Sequence, residues 1–414
     1  MKFFKFFLAA SIVCSGFSAY AYNVDGFFST ALEVSKDKGE SSETLWENYL
    51  NIDNAKIYDP YLGFNFYGRF ATDSEEDSDS QSDVYSAYLD YTSFQNAVEV
   101  KAGRFSYIGN RFLTLDGALA TVRTDYKFGV TAFAGKPQYF DADGRHINEE
   151  FRKTGDKMYG GRVFLNGVKD MTGYVSYSKE YDSDLTYQEF TGLGLGRVFA
   201  LSGKNILSID AKGEYDMLEH NFYRGTIRAY LKRDALRLIA EGSKYNVKDG
   251  TNYDDVLIIS NFSTGQEEKM AFTVQYAFSE NVSPYVSVVH SKIEQESGDI
   301  VNGQIYKAGA DFDWFKTKGV TANIEGYYYD SETANAKGAS AALDWSLTKQ
   351  FRLTFEGETL RLENYVTDEN IYSLYADAEY NIMKDLTLSI YAENSKETYY
   401  LPENRYGVKA VYSF

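Results

Sequence analysis

Apolar and polar residues alternate one by one over most of this chain. Leu207, Ile209, Ala211, Gly213 and Tyr215 are separated by Ser208, Asp210, Lys212 and Glu214. Met270, Phe272, Val274, Tyr276 and Phe278 repeat the pattern, as do Tyr306, Ala308, Ala310, Phe312 and Trp314, and Tyr372, Leu374, Ala376, Ala378 and Tyr380. A period of two sends successive side chains to opposite faces of a strand, so each strand has one apolar and one wet face. Helical spacing is scarcely visible. The chain is predicted to be all-β, and the question becomes which solvent each face meets.

About 22 such segments can be counted, the first over 24–35 and the last over 404–414. At roughly 18 residues per strand and connection, each can supply the ~9–11 residues that cross a bilayer as a tilted strand. The connections alternate too. Short turns fall at Gln95-Asn96, Asp125-Tyr126, Gly167 to Lys169, Arg233-Asp234 and Thr348-Lys349, among others. Longer polar connections lie at 73–82, 107–115, 135–156, 247–267, 295–302 and 396–403. This parity assigns Val256 to Ile259 to a long connection, keeping the strand number even and both termini on one side. A count of about 20 to 24 strands fits the same pattern.

The N-terminus is of another kind. Lys2 and Lys5 precede an apolar run from Phe6 to Val13, and Ala19-Tyr20-Ala21 is a small-x-small cleavage site. Residues 1–21 read as a secretory signal peptide, leaving 22–414 as a single domain. Cys14, the one cysteine, follows Val13 where a lipoprotein signal needs a small residue, so lipidation is not expected. The mature chain can then hold no disulfide, thiolate metal site or covalently attached haem. A formal charge of −18 opposes nucleic-acid binding, which works through Lys and Arg on phosphates.

No later apolar run is long enough for a transmembrane helix, and mean hydropathy is only −0.41. A strand wet on one face and lipid-facing on the other averages to the same value. Aromatics make up 17% of the chain, more than an ordinary β-sandwich carries, and no repeat of propeller length is present. A closed antiparallel barrel in lipid satisfies every backbone group without an edge. Its apolar stripe would face lipid and its charged stripe an aqueous lumen, with Tyr61, Tyr215, Trp314, Tyr372 and Tyr380 as interfacial girdles.

Tyr406, Val408, Ala410, Tyr412 and Phe414 form an apolar series that ends on the last residue. With the leader and the strand pattern, this series resembles Gram-negative outer-membrane β-barrel proteins of the porin type. The resemblance implies a cell outer-membrane location and a terminal strand read by the barrel-assembly machinery. It also implies contact with outer-membrane lipid and lipopolysaccharide, and it allows a homo-oligomer. The first strand starts soon after the cleavage site, so no plug domain is expected.

If each polar face points inward, the first half of the chain supplies Arg69, Lys101, Arg162, Lys212, Arg224, Arg228 and Lys232 against Asp90, Glu99, Asp210 and Glu214. The second half supplies Asp311, Asp313, Glu325, Asp344, Glu356, Glu358, Asp377, Glu379 and Glu393 against Lys307, Arg352 and Lys409. Consecutive strands are neighbours around a barrel, so a basic wall would face an acidic wall. The transverse field would orient dipolar solutes and modestly favour cations. The same charges would equally serve to hydrate a wide lumen.

A barrel this wide needs narrowing. The connection Gly135 to Asp156 is the candidate constriction, with Asp141, Asp143, Arg145, His146, Glu149 and Glu150 carrying both signs of charge. The acidic stretch Asp73 to Asp83 lacks the glycine and closing glutamate of a calcium loop and reads as a solvated outer loop, a possible site of divalent bridges to lipopolysaccharide. His146, His220 and His290 lie on separate segments, and the glycines Gly192 to Gly196 sit inside a strand. Neither catalysis nor a bound cofactor is expected. The reading is a porin-like channel for small hydrophilic solutes. The alternative is a structural sheath around a multihaem cytochrome, with the haem supplied by the partner.

Overall fold

The structure is a computed structural model. It describes residues 24–414 apart from 37–41, 59–60, 74–80, 109–111, 125–126, 139–156, 183–184, 204, 247–265, 295–299, 315–317, 332–333, 365–367 and 397–403. Twenty-two strands fill it. The first eight are β1 (Asp25–Lys36), β2 (Glu43–Tyr58), β3 (Leu62–Asp73), β4 (Gln81–Thr92), β5 (Val98–Ile108), β6 (Phe112–Arg123), β7 (Phe128–Gln138) and β8 (Lys157–Val168). Next come β9 (Met171–Asp182), β10 (Leu185–Ala200), β11 (Ile206–Asp216), β12 (Asn221–Arg233), β13 (Leu236–Asn246), β14 (Gln266–Tyr276) and β15 (Val282–Glu294). The last seven are β16 (Ile300–Trp314), β17 (Val320–Ser331), β18 (Ala334–Ser346), β19 (Phe351–Asn364), β20 (Asp368–Met383), β21 (Leu386–Lys396) and β22 (Asn404–Ser413).

Each strand pairs antiparallel with the next, and β22 returns to β1 from Phe27↔Ser413 to Lys36↔Asn404. The Gly26 amide donates to the Phe414 carbonyl and the Phe414 amide to the Gly26 carbonyl, both at 3.0 Å. The sheet therefore closes on itself with no free edge, which is what a strand-built membrane span requires. At Lys169-Asp170 both residues have positive φ, 50° and 61°, so this two-residue hairpin matches the right-handed twist of β8 and β9.

Several connections differ from expectation. Strands β5 and β6 consume most of 107–115, leaving 109–111 between them. Strand β7 runs through Gly135-Lys136-Pro137 rather than breaking there. Its ladder with β8 stops at Gly135↔Met158 while that with β6 reaches Thr114↔Gln138, so Pro137 lies where one ladder has already ended. The acidic stretch is shortened in the same way. Asp73 ends β3, and Asp83 belongs to β4 opposite Arg69, because an inward cation gives that carboxylate a partner. Nor are all connections away from the termini long: only 183–184 separate β9 from β10 and 332–333 separate β17 from β18. Residues 1–21 and Val256 to Ile259 lie outside the described residues.

The two faces meet different solvents. Val163, Ile227, Leu374 and Ile390 are 55–57% exposed, although a water-soluble fold would bury them. They lie on the outer face, and their sequence neighbours Arg162 and Thr226 point into the lumen. Ile227→Arg is expected to cost about 2–4 kcal/mol, the penalty for a cation on the lipid face near mid-membrane, whereas Thr226→Arg stays within about 0.5 kcal/mol. Urea unfolding of the two variants in lipid vesicles measures the difference, and equal costs would refute the assignment of faces.

Candidate functional site

The lumen is lined by one side-chain row from every strand, so the pairing register decides which charges meet. On the inner face of β16–β22 a lattice appears. One row reads Asp313, Thr321, Asp344, Thr354, Asp377, Tyr391, Gly407. The next reads Asp311, Asn323, Ala342, Glu356, Tyr375, Glu393, Arg405. Glu325 and Glu358 stand on either side of Ser340 in the row after that. No two of these carboxylates are directly opposite, an arrangement that avoids the repulsion of like charges across a ladder.

Cations neutralise only part of this wall. Lys307 reaches Glu325 at 2.9 Å, Arg352 pairs with Asp344, and Arg405 lies 3.6 Å from Glu393. Asp311 accepts from Gln275 and Asn323, both at 2.7 Å, and Glu358 accepts from Tyr327 at 2.5 Å. Among the described residues Asp311, Glu356, Glu358, Asp377 and Glu379 have no cation within ion-pair distance. A recess of about 400 Å³ opens beside two of them, lined by Ser340, Glu356, Glu358, Ser373, Tyr375 and Glu393.

The opposite side differs in kind. Arg69, Lys101, Arg162, Lys212, Arg224, Arg228 and Lys232 do project inward, but most have an acid beside them. Arg69 is buried against Glu47 at 2.5 Å, with Asp83 at 3.9 Å. Arg224 meets Glu214 at 2.7 Å and Arg228 meets Glu241 at 2.8 Å. Glu99 is shared by Arg123 at 2.6 Å and Lys101 at 3.4 Å. Arg162 lies 4.0 Å from the Tyr174 ring, which itself covers Gly194, where any Cβ would fall 2.2 Å from it. Glu99, Lys101, Arg123, Arg162 and Tyr174 line a recess of about 620 Å³ that also includes Lys212 and Asp210. This side is a field of ion pairs with a small positive excess.

Glu33, Glu47, Asp83, Arg123, Glu180, Arg237, Glu241 and Arg405 also line the lumen and were not singled out from the sequence. The period-two rule identifies Arg123, Arg237, Glu241 and Arg405 directly, since each shares its parity with an inward charge on the same or a paired strand. Glu47 is harder: β2 is polar on both faces and shifts register between Ile52 and Ala55. Nor is the whole inner face polar. Phe105, Leu115, Leu119, Phe133 and Met158 project inward from β5–β8 and are buried, and Phe190, Tyr223 and Tyr245 form a second buried group. Asp141, Asp143, Arg145, His146, Glu149 and Glu150, the expected constriction, lie outside the described residues.

No family model and no curated protein matches the sequence. Solved structures match over nearly the whole chain. The siderophore receptor PirA from Pseudomonas aeruginosa aligns with a TM-score of 0.62 at 11% identity, over 95% of this chain and 80% of that one. OccK2 (OpdF) from the same organism gives 0.51 at 11% identity, over 95% and 99%. OccK3 (OpdO) gives 0.50 at 9% identity, over 96% and 97%. The fold is that of an outer-membrane β-barrel. At such identities the likeness concerns architecture, and the lumen has to be read from its own residues.

Proposed function

We propose that this barrel is a passive, porin-like channel for small hydrophilic solutes or ions, with a modest preference for cations. The observation that carries the reading is the group Asp311, Glu356, Glu358, Asp377 and Glu379 on the inner face of β16, β19 and β20, which no described cation reaches at ion-pair distance, facing a wall whose charges are largely paired. Fixed charges lining an aqueous path raise the local concentration of counter-ions. The likeness to OccK2 and OccK3 agrees with a channel without naming a solute. None of this arrangement resembles catalytic machinery.

Purified barrel in a planar bilayer under a salt gradient tests the proposal. Conductance should appear without any partner, and the reversal potential should take the sign for cations. A sheath around a cytochrome would instead co-purify with haem absorbance, and negligible conductance would sink the channel reading.

The terminal series carries a second expectation. Tyr406, Val408 and Tyr412 are 54%, 45% and 45% exposed on the outer face, while Phe414 is tied to Gly26 across the seam. We propose that the series serves as the barrel-assembly signal. Phe414→Ala should lower the yield of assembled barrel in the outer membrane several-fold without changing the conductance of those that insert. An unchanged yield on heat-modifiability gels would dismiss that role.

A further inference from the structure

Aromatic rings meet in the lumen on β1–β4, a part of the inner face outside the acidic lattice. Register places them there. Tyr49 on β2 stands opposite the inward Arg69, and Tyr67 on β3 and Phe27 on β1 both stand opposite Asn51. Strand β4 adds Tyr85 through a bulge, since Tyr67 pairs with Ser86 and Gly68 already with Val84. The extra residue re-aims a side chain, and the Tyr85 ring lies 5.1 Å from that of Tyr67. Tyr49 and Tyr67 are 6.1 Å apart with planes 20° from parallel, and Phe27 is 6.4 Å from Tyr67. All four rings are half-buried, and the three tyrosines sit near the middle of their strands.

The charges beside this strip are already matched. Arg69 holds Glu47 at 2.5 Å and has Asp83 at 3.9 Å. Glu47 keeps 22% of its side chain exposed and accepts from the Tyr49 hydroxyl at 3.3 Å. Towards the seam the Tyr391 hydroxyl donates to Glu33, which Arg405 approaches to 3.2 Å. A carboxylate with a guanidinium beside it attracts neither sign of ion strongly, yet its remaining lone pairs still accept hydrogen bonds. The strip therefore presents flat apolar ring faces bordered by neutralised acceptors and phenolic hydroxyls. That combination fits an uncharged solute with both apolar faces and donors of its own.

We propose that this strip binds neutral carbohydrate, a short chain of sugar rings lying along the lumen wall. A pyranose has faces of C–H groups that rest flat on aromatic rings, and a rim of hydroxyls that reaches Glu47 and the phenols. The surroundings select this occupant. An organic cation would find Glu47 and Glu33 already paired with Arg69 and Arg405, and a wholly apolar solute would leave their acceptor oxygens without donors. Tyr391 stands three strands from Tyr49, about 14 Å at the usual strand spacing, so the lined wall suits several linked sugars better than one. The inference rests on the lumen being an open aqueous path, as the channel reading holds, and adds the class of solute.

Isothermal titration calorimetry of the purified barrel, in a detergent without a sugar head group, tests it with maltotetraose and cellotetraose as probes. At least one should bind, and glucose should bind far more weakly. Tyr67→Ala should weaken binding about tenfold, whereas Tyr67→Phe, which keeps the ring, should stay within about twofold. Tyr85→Ala should lose by a similar factor to Tyr67→Ala, and Tyr328→Ala on the lipid face should behave as wild type. Binding of neither tetrasaccharide overturns the inference, as does equal affinity in wild type, Tyr67→Ala and Tyr85→Ala. Tighter binding of spermidine, lost in the same two variants, would give the strip to organic cations instead. Because calorimetry needs no current, a barrel that binds the sugar but does not conduct would sink the channel reading alone. One that conducts but binds neither sugar would sink only this inference.

Discussion

Gly407→Val is expected to prevent closure of the barrel. Tyr391 on β21 lies across Gly407 on β22, and a Cβ at 407 would fall 2.2 to 2.4 Å from the atoms of that ring. The ring cannot simply swing away, because its hydroxyl donates to Glu33 on β1, on the other side of the seam. Arg405 reinforces the same place, standing 3.2 Å from Glu33 and 3.6 Å from Glu393, so side chains of β21, β22 and β1 form one inward network. Forcing a side chain into such a packed site costs about 1–3 kcal/mol, and losing a hydrogen bond to a charged group about 1.5–3 more. Together these amount to about 3–5 kcal/mol, or a hundredfold or more in the assembled fraction. The assay is the heat-modifiable band on unboiled gels. Tyr391→Ala in the Gly407→Val background should recover much of it by removing the ring. A double variant as defective as the single would show that the clash is not the cause.

Neutralising the acidic lattice should remove the cation preference. A carboxylate about 10 Å from a passing ion contributes about 0.4 kcal/mol in water, and screening at 0.1 M salt reduces this roughly threefold. Asp311→Asn, Asp313→Asn, Glu356→Gln and Glu358→Gln combined therefore remove about 0.6 kcal/mol of attraction for a cation and as much repulsion of an anion, about a sevenfold change in cation over anion permeability. The shift should shrink towards zero near 1 M salt, where the Debye length is about 3 Å. Reversal potentials for wild type and quadruple variant at both salt concentrations decide the matter. An unchanged potential at low salt would mean that these charges only hydrate the lumen. Arg224→Gln serves as the comparison, since it removes a positive charge beside Glu214 and makes the lumen more acidic.

Most of the architecture was legible because a strand reports its two solvents residue by residue. The Leu207–Tyr215 alternation predicted β11, and the parity of connections placed both termini together. Ends were misjudged where local polarity spoke louder than pairing, as at Asp83 and Lys136, which look like loop residues until β3 and β6 supply their partners. The charged lining was legible only as parity. Arg224 and Arg228 read as a basic wall, yet Glu214 and Glu241 meet them once β11, β12 and β13 are set in register. Phe105, Phe133 and Met158 hide for the opposite reason: on β5–β8 both faces contain apolar residues, and the sequence cannot say which belongs to the lumen.

Sequence alone therefore determined that this is an all-β chain of alternating strands, even in number, with one face for lipid and one for water. Those are properties of single strands, set by a side-chain period of two. Tertiary structure decided which charges cancel and which remain. That outcome depends on register between strands, and a shift of one residue would exchange every neighbour across the ladder. It also brought Glu33 under the hydroxyl of Tyr391, most of the chain away in sequence, because a barrel closes only when its last strand meets its first.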